Sequence, residues 1–154
     1  MDDVGQQEDG GDESALSPPT VKSQARTVTI DQFIVYSATF QVPTFYFSAH
    51  QSDGSTLGLR DIEALRLLNA HSRPNSEMNS YAITPIASPF PLLSQGDHPT
   101  LGTPCWYFHP CETSTAVQEI LNDIGEMDWV GEDGLARWMG AWFSVLSSAV
   151  DLRM

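Results

Sequence analysis

Two cysteines and four histidines are the side chains of this 154-residue chain best suited to covalent chemistry, and the run Tyr107-Phe108-His109-Pro110-Cys111 brings one of each within two residues. A thiolate, not a thiol, is the nucleophile in cysteine chemistry. Cys111 follows an extended, aromatic-rich stretch and precedes a helical pattern. It therefore meets unsatisfied backbone N–H groups, which favour negative charge. Pro110 holds His109 in extended geometry and fixes how the chain leaves the strand. Cys105, between Pro104 and Trp106, reads as a packing residue. An extended segment between the two cysteines keeps them too far apart for a bridge, so both thiols are expected to be free.

Other chemistries fit less well. A Cys–His hydrolase needs an imidazole within reach of its thiol, but His50, His71, His98 and His109 all precede Cys111, and no papain-like or caspase-like signature surrounds it. His98, Cys105, His109 and Cys111 are metal-compatible in type, yet they form neither a close Cys pair nor a close His pair, so no metal is expected. No glycine-rich phosphate loop follows a strand, and no cofactor is implied.

The elements that must position Cys111 read as a mixed α+β domain. Residues 1–26 carry Asp2, Asp3, Glu8, Asp9, Asp12 and Glu13 among small polar residues and are expected to form a disordered acidic arm, leaving 27–154 as one folded domain. Val28, Ile30, Phe33, Val35 and Tyr36 mark a strand over roughly 27–38. After Gln41-Val42-Pro43, a second antiparallel strand runs over Thr44–Ala49 to a turn at Asp53-Gly54. Leu57, Ile62, Leu65 and Leu68 suggest a short amphipathic helix. The Pro-rich stretch from 70 to about 103 reads as mostly irregular. A strand over roughly 104–109 then turns Cys105, Tyr107 and His109 to one face and Trp106 and Phe108 to the other. Thr115 and Gln118 fit a capping box for a helix burying Val117, Ile120, Leu121 and Ile124. A last helix over roughly 134–150 shows Leu135, Trp138, Met139, Trp142, Phe143, Leu146 and Val150 on one apolar stripe.

Composition narrows the classes further. A formal charge of −13 disfavours nucleic acid and anionic lipid. No run of residues is long and apolar enough to span a bilayer, and the acidic start does not look like a secretory signal, so a cytoplasmic protein is expected.

As a set, several motifs resemble the autophagy protein ten/three family of ubiquitin-like-conjugating enzymes. These are Gln95-Gly96-Asp97-His98-Pro99-Thr100-Leu101-Gly102-Thr103-Pro104 and Tyr107-Phe108-His109-Pro110-Cys111-Glu112-Thr113, preceded by Val42-Pro43-Thr44-Phe45-Tyr46-Phe47, Asp53-Gly54 and Leu59-Arg60-Asp61-Ile62. The resemblance covers roughly residues 27–150. It implies a divergent ubiquitin-conjugating-enzyme-like fold, an antiparallel sheet flanked by helices, without the N-terminal helix and first strands of that family. It also implies that Cys111 accepts ubiquitin-like modifier twelve as a thioester from the activating enzyme, autophagy protein seven, and passes it to a lysine of autophagy protein five. His109 and Tyr46 become candidates for polarising or orienting the thioester carbonyl, and recruitment to the pre-autophagosomal membrane is implied. Within the family, the sister type, autophagy-related protein three, passes its modifier to phosphatidylethanolamine and carries a long insertion before the HPC strand that is absent from this chain. A non-catalytic adaptor that binds autophagy protein five is the alternative from another class.

Overall fold

A computed structural model describes residues 27–69, 75–125 and 131–152. The acidic segment 1–26 lies outside the described residues. Six strands form one antiparallel sheet: β1 (Val28–Ser37), β2 (Val42–Gln51), β3 (Ser76–Met78), β4 (Ala82–Pro85), β5 (Leu93–Asp97) and β6 (Pro104–Phe108), in the spatial order β1-β2-β6-β5-β4-β3. Helices α1 (Leu59–Ala64), α2 (Thr113–Ile124) and α3 (Glu132–Ala149) complete an α+β fold of the ubiquitin-conjugating-like class. No helix among the described residues is long and apolar enough to cross a membrane.

The two long N-terminal strands form as their β-branched and aromatic content dictates, paired over ten residues from Val28↔Gln51 to Ser37↔Val42. Pro43 lies inside β2 and does not interrupt it. Its carbonyl accepts the indole N–H of Trp142 at 2.9 Å. Asp53 and Gly54 turn the chain after β2 as expected, with Gly54 at φ +83° and the Asp53 carboxylate accepting the Ser55 N–H at 2.9 Å.

The elements depart from the sequence expectations in several places. The stretch from 75 to 103 is irregular over most of its length, as expected, but it also holds three short strands, β3, β4 and β5, and β5 pairs with β6 over five residues from Leu93↔Phe108 to Asp97↔Pro104. Strands of three to five residues are too short for an alternating pattern to stand out among prolines. Next, α1 does not carry Leu65 and Leu68 on its buried face. The helix stops at Ala64, and Arg66 at φ +57° turns the chain so that Leu67 and Leu68 enter the core while Leu65 stays exposed. Finally, α2 opens at Thr113, two residues before the expected cap, because a 3₁₀ turn over Pro110–Glu112 runs directly into it. Thr115 lies within the first turns of the helix and is exposed, Gln118 donates to the Asn122 carboxamide oxygen at 2.9 Å, and of the four expected apolar positions Val117 and Leu121 are buried while Ile124 is exposed.

The core lies between the sheet and the helices and is built from Phe45, Phe47, Ile62, Leu93, Trp106, Phe108, Val117, Trp142 and Leu146, among others. Helix α3 is rotated from the expected stripe. Leu135 is 65% exposed and Phe143 42% exposed, whereas Ala141, Trp142, Leu146 and Ala149 are buried. Ala141 and Ala149 are buried too, and their small side chains give no hydrophobic signal in the sequence pattern. The Asn69 carboxamide then caps the end of α3 by donating to the Ser147 carbonyl at 2.7 Å and the Ser148 carbonyl at 3.1 Å.

These burials separate two neighbours on one helix. Trp142→Ala is expected to cost about 3–5 kcal/mol, from lost volume and an unpaired Pro43 carbonyl. Phe143→Ala is expected to cost about 0.5–1.5 kcal/mol, the worth of an aromatic edge contact, here with Trp142 at 5.0 Å between ring centroids. Urea denaturation of the two variants checks the difference; equal losses would contradict this placement of α3.

Candidate active site

Strand β6 carries the site because its alternation sends side chains to opposite faces of the sheet. Trp106 and Phe108 point into the core, while Cys105, Tyr107 and His109 lie on the other face. The His109 N–H donates to the Leu92 carbonyl at 3.0 Å, extending the β5–β6 ladder by one bond. Pro110 cannot continue that ladder. His109 stays extended at φ −69° and ψ 122°, Pro110-Cys111-Glu112 makes one 3₁₀ turn, and the Thr113 N–H closes it on the Pro110 carbonyl.

That turn reverses Cys111 onto the histidine before it. His109 Nδ1 lies 3.0 Å from Cys111 Sγ. Cys111 is a free, partly exposed thiol, and Cys105 is free and buried. Burial pushes the Cys105 thiol up, helped by the Asp97 carboxylate. Two residues of opposite chemical prospects thus sit on one short segment.

The electrostatics of Cys111 differ from the sequence expectation of a favoured thiolate. Burial holds the thiol above its ordinary value, and the Glu112 carboxylate raises it further. The backbone N–H groups of Cys111 and Glu112 do act in the expected direction, but they are outweighed. Burial also pushes the His109 imidazole down, favouring the neutral ring. At neutral pH the resting pair is therefore thiol and neutral imidazole.

Around the pair lies an aromatic layer. Phe90 stacks on His109 with ring centroids 5.8 Å apart and planes at 18°, and Phe40 meets it edge-on at 5.9 Å and 71°. Tyr107 lies 6.0 Å from His109 and 5.5 Å from Tyr46, its partner across the β2–β6 ladder. Tyr46 is thus on the same face as Cys111, two ring contacts away through Tyr107 and His109. Burial raises its phenol, so it is a hydrogen-bond donor. Gly96 makes the layer possible, since a Cβ there would come within 3.0 Å of the Tyr107 ring. Phe40 and Phe90 were not singled out from sequence, and only their aromatic type in otherwise polar or Pro-rich connections could have flagged them.

His98, the other histidine of the paired motifs, is not brought to Cys111 by any contact. It is buried against Phe33 at 4.7 Å and Tyr46 at 5.5 Å between ring centroids. Its Nδ1 accepts the backbone N–H groups of Thr100 and Leu101, both at 3.2 Å, which places its proton on Nε2. Together with Gly102 at φ +63°, whose N–H donates to the His98 carbonyl at 2.8 Å, it folds the tight connection from β5 to β6. The paired motifs divide the work: the first shapes the β5–β6 turn, and the second presents the thiol.

An antiparallel sheet with a free cysteine at the exit of a central strand, just before a helix, makes a domain centred on a thiol. Across residues 1–154 the chain matches the model of the autophagocytosis associated protein, active-site domain, and it belongs to that family. It is similar to proteins named ubiquitin-like-conjugating enzyme ATG10: 30% identical over 133 residues to that of Dictyostelium discoideum, covering 82% of this chain and 53% of the relative. To that of Arabidopsis thaliana it is 26% identical over 137 residues, covering 88% and 54%. To that of Homo sapiens it is 25% identical over 130 residues, covering 84% and 52%. The chain spans about half the length of the curated relatives it matches.

The raised thiol can be read directly. A group whose pKa is raised keeps its proton to higher pH, so alkylation of Cys111 by iodoacetamide should have its midpoint above the ordinary thiol value of about 8.5. Glu112→Gln removes one cause of the shift and should move that midpoint down. Rates followed by mass spectrometry across pH test this; a midpoint below the ordinary value would restore the thiolate expected from sequence.

Proposed function

We propose that the chain is a ubiquitin-like-conjugating enzyme of autophagy that carries its modifier as a thioester on Cys111. The observation that carries this reading is the placement of a free, partly exposed cysteine in the turn between β6 and α2, with an imidazole nitrogen 3.0 Å from its sulfur. Family membership and the name shared by the three relatives support the same activity.

In the proposed reaction Cys111 Sγ attacks the carbonyl carbon of a thioester held by the activating enzyme, autophagy protein seven. A tetrahedral oxyanion forms, the carbon–sulfur bond to the activating enzyme breaks, and that enzyme's thiol leaves. The carried protein is modifier twelve. A lysine amine of autophagy protein five then attacks the new thioester, forming an amide and releasing Cys111. His109 orients the sulfur, whereas Tyr46, the other candidate, is separated from it by the rings of Tyr107 and His109 and is not placed to donate to the oxyanion. Cys105, closed in the sheet, takes no part.

The sister reaction, transfer to phosphatidylethanolamine, is less well supported: about 40 residues separate Ala64 from Pro104, and β3, β4 and β5 occupy much of that length. An adaptor that binds autophagy protein five without being charged would not need Cys111 exposed.

Incubation with activating enzyme, modifier and ATP tests the assignment. Cys111→Ala should abolish a thiol-sensitive adduct, and Cys105→Ala should keep it. Cys111→Ser should form an adduct that resists thiol reductant and delivers little to the acceptor, because an oxyester is the poorer acyl donor. Loss of the band in Cys105→Ala with retention in Cys111→Ala would reverse the assignment, and binding without any adduct would favour the adaptor.

A further inference from the structure

His109 is held by more contacts than orienting a neighbouring sulfur requires. Its backbone is fixed on one side by the bond to the Leu92 carbonyl and on the other by Pro110. Its ring is clamped by side chains from three separate segments: Phe40 from the β1–β2 turn, Phe90 from the β4–β5 connection and Tyr107 from β6. Phe40 is 40% exposed and Phe90 47% exposed, so neither is explained by burial in the core. What they share is the imidazole between them. The ring they hold has Nδ1 at hydrogen-bond distance from Sγ.

We propose that His109 is the base that takes the thiol proton from Cys111 through Nδ1 during loading, and that Phe40 and Phe90 are positioning residues that fix its ring for that transfer. This rests on the thioester reading above and assigns a step within it.

As Sγ forms its bond to the thioester carbonyl carbon, the S–H proton moves to Nδ1, leaving an imidazolium and a tetrahedral oxyanion. Collapse of the oxyanion breaks the carbon–sulfur bond to the activating enzyme, whose thiolate departs. The imidazolium gives its proton to that thiolate or to water, and the pair returns to neutral imidazole beside an acylated sulfur. Only the tautomer with its proton on Nε2 can accept at Nδ1. A thiol kept protonated by its surroundings needs such an acceptor, and a neutral imidazole supplies one at physiological pH.

The ionisable groups on the elements packed around the ring are Cys111 and Glu112 in the turn, Tyr107 and the buried Cys105 on β6, and Asp97 at the far end of β5. The β1–β2 turn and the β4–β5 connection present Phe40 and Phe90, which carry no charge. The acid limb of the reaction should therefore report the imidazole, and the alkaline limb the thiol.

Acylation of Cys111 by a small soluble thioester, followed by mass spectrometry between about pH 5 and 9, isolates the step from partner binding. Wild type should rise to a plateau once His109 is neutral, at or below the ordinary histidine range, and hold it towards the thiol's own pKa. His109→Gln should show no plateau, with a rate proportional to hydroxide, and should be slower by about 10²-fold near pH 7. Phe90→Ala should keep the plateau at a lower height. Parallel profiles for wild type and His109→Gln would overturn the proposal and leave His109 a structural residue. Should His109→Gln fail to fold by circular dichroism, the wild-type profile decides alone, since a rate strictly first order in hydroxide excludes the base. A wild-type plateau without loading by activating enzyme and modifier would uphold the His109 step and reject the conjugating function.

Discussion

Strand β6 is hydrogen-bonded on both sides, to β2 and to β5, and this double pairing is the constraint on which the site depends. With both edges engaged it can neither shift by one residue nor rotate, because a one-residue slip would carry Trp106 and Phe108 out of the core and bring Tyr107 into it. The face on which His109 lies is therefore settled by hydrophobic packing some distance away. Pro110 then ends the ladder at a defined residue, and the 3₁₀ turn that follows is the shortest path into α2. Packing energy is converted into a fixed separation between Nδ1 and Sγ without any long-range polar network.

The two faces of the sheet differ in kind. On the helix side, aliphatic and aromatic residues close against α2 and α3 and exclude water. On the other side a layer of rings, Phe33, Tyr46, Tyr107, His98, His109, Phe40 and Phe90, lies across the strands. Aromatic side chains suit that role because they bury large area with few rotatable bonds. Two of the seven are imidazoles with different tasks. His98 uses Nδ1 to organise backbone N–H groups of a turn, whereas His109 turns Nδ1 to a sulfur. Residue type alone does not distinguish them; the peptide geometry after each Pro does.

Much of this was legible in the sequence. Val28, Ile30, Phe45 and Phe47 announced the long hairpin, and the alternation of Cys105, Trp106, Tyr107 and Phe108 gave the facing of β6 correctly. Pro110 announced the strand exit and the placement of Cys111. What stayed hidden depended on tertiary contact. Strand β5 has little pattern of its own and exists because β6 pairs with it. Phe143 looked like core because helical spacing cannot tell a stripe's centre from its edge, and the buried Ala141 and Ala149 are too small to mark that centre. His109 is a candidate from sequence only through the family resemblance, and the order of the histidines before Cys111 speaks against a Cys–His pair; a turn that doubles the chain back within two residues makes that order irrelevant. The protonation of Cys111 was misjudged for a related reason, since the N–H groups near the helix start are visible in sequence but the extent of burial and the effect of Glu112 are not.

A raised thiol has a chemical consequence for a carrier. Nucleophilicity of a thiolate falls as its pKa falls, and a low-pKa thiolate is also the better leaving group. A cysteine tuned downward would be charged at rest, open to adventitious electrophiles, and would hold an acyl group loosely. On the proposed reading, Cys111 takes the opposite course: burial and Glu112 keep the proton on sulfur until an acyl donor is in place, and the resulting thioester has a poorer leaving group towards water. The obstacle in that arrangement is the proton, which must leave as the bond forms. An adjacent imidazole held neutral by burial removes that obstacle without permanently ionising the thiol, so the aromatic clamp, the depressed histidine and the raised cysteine act as one device.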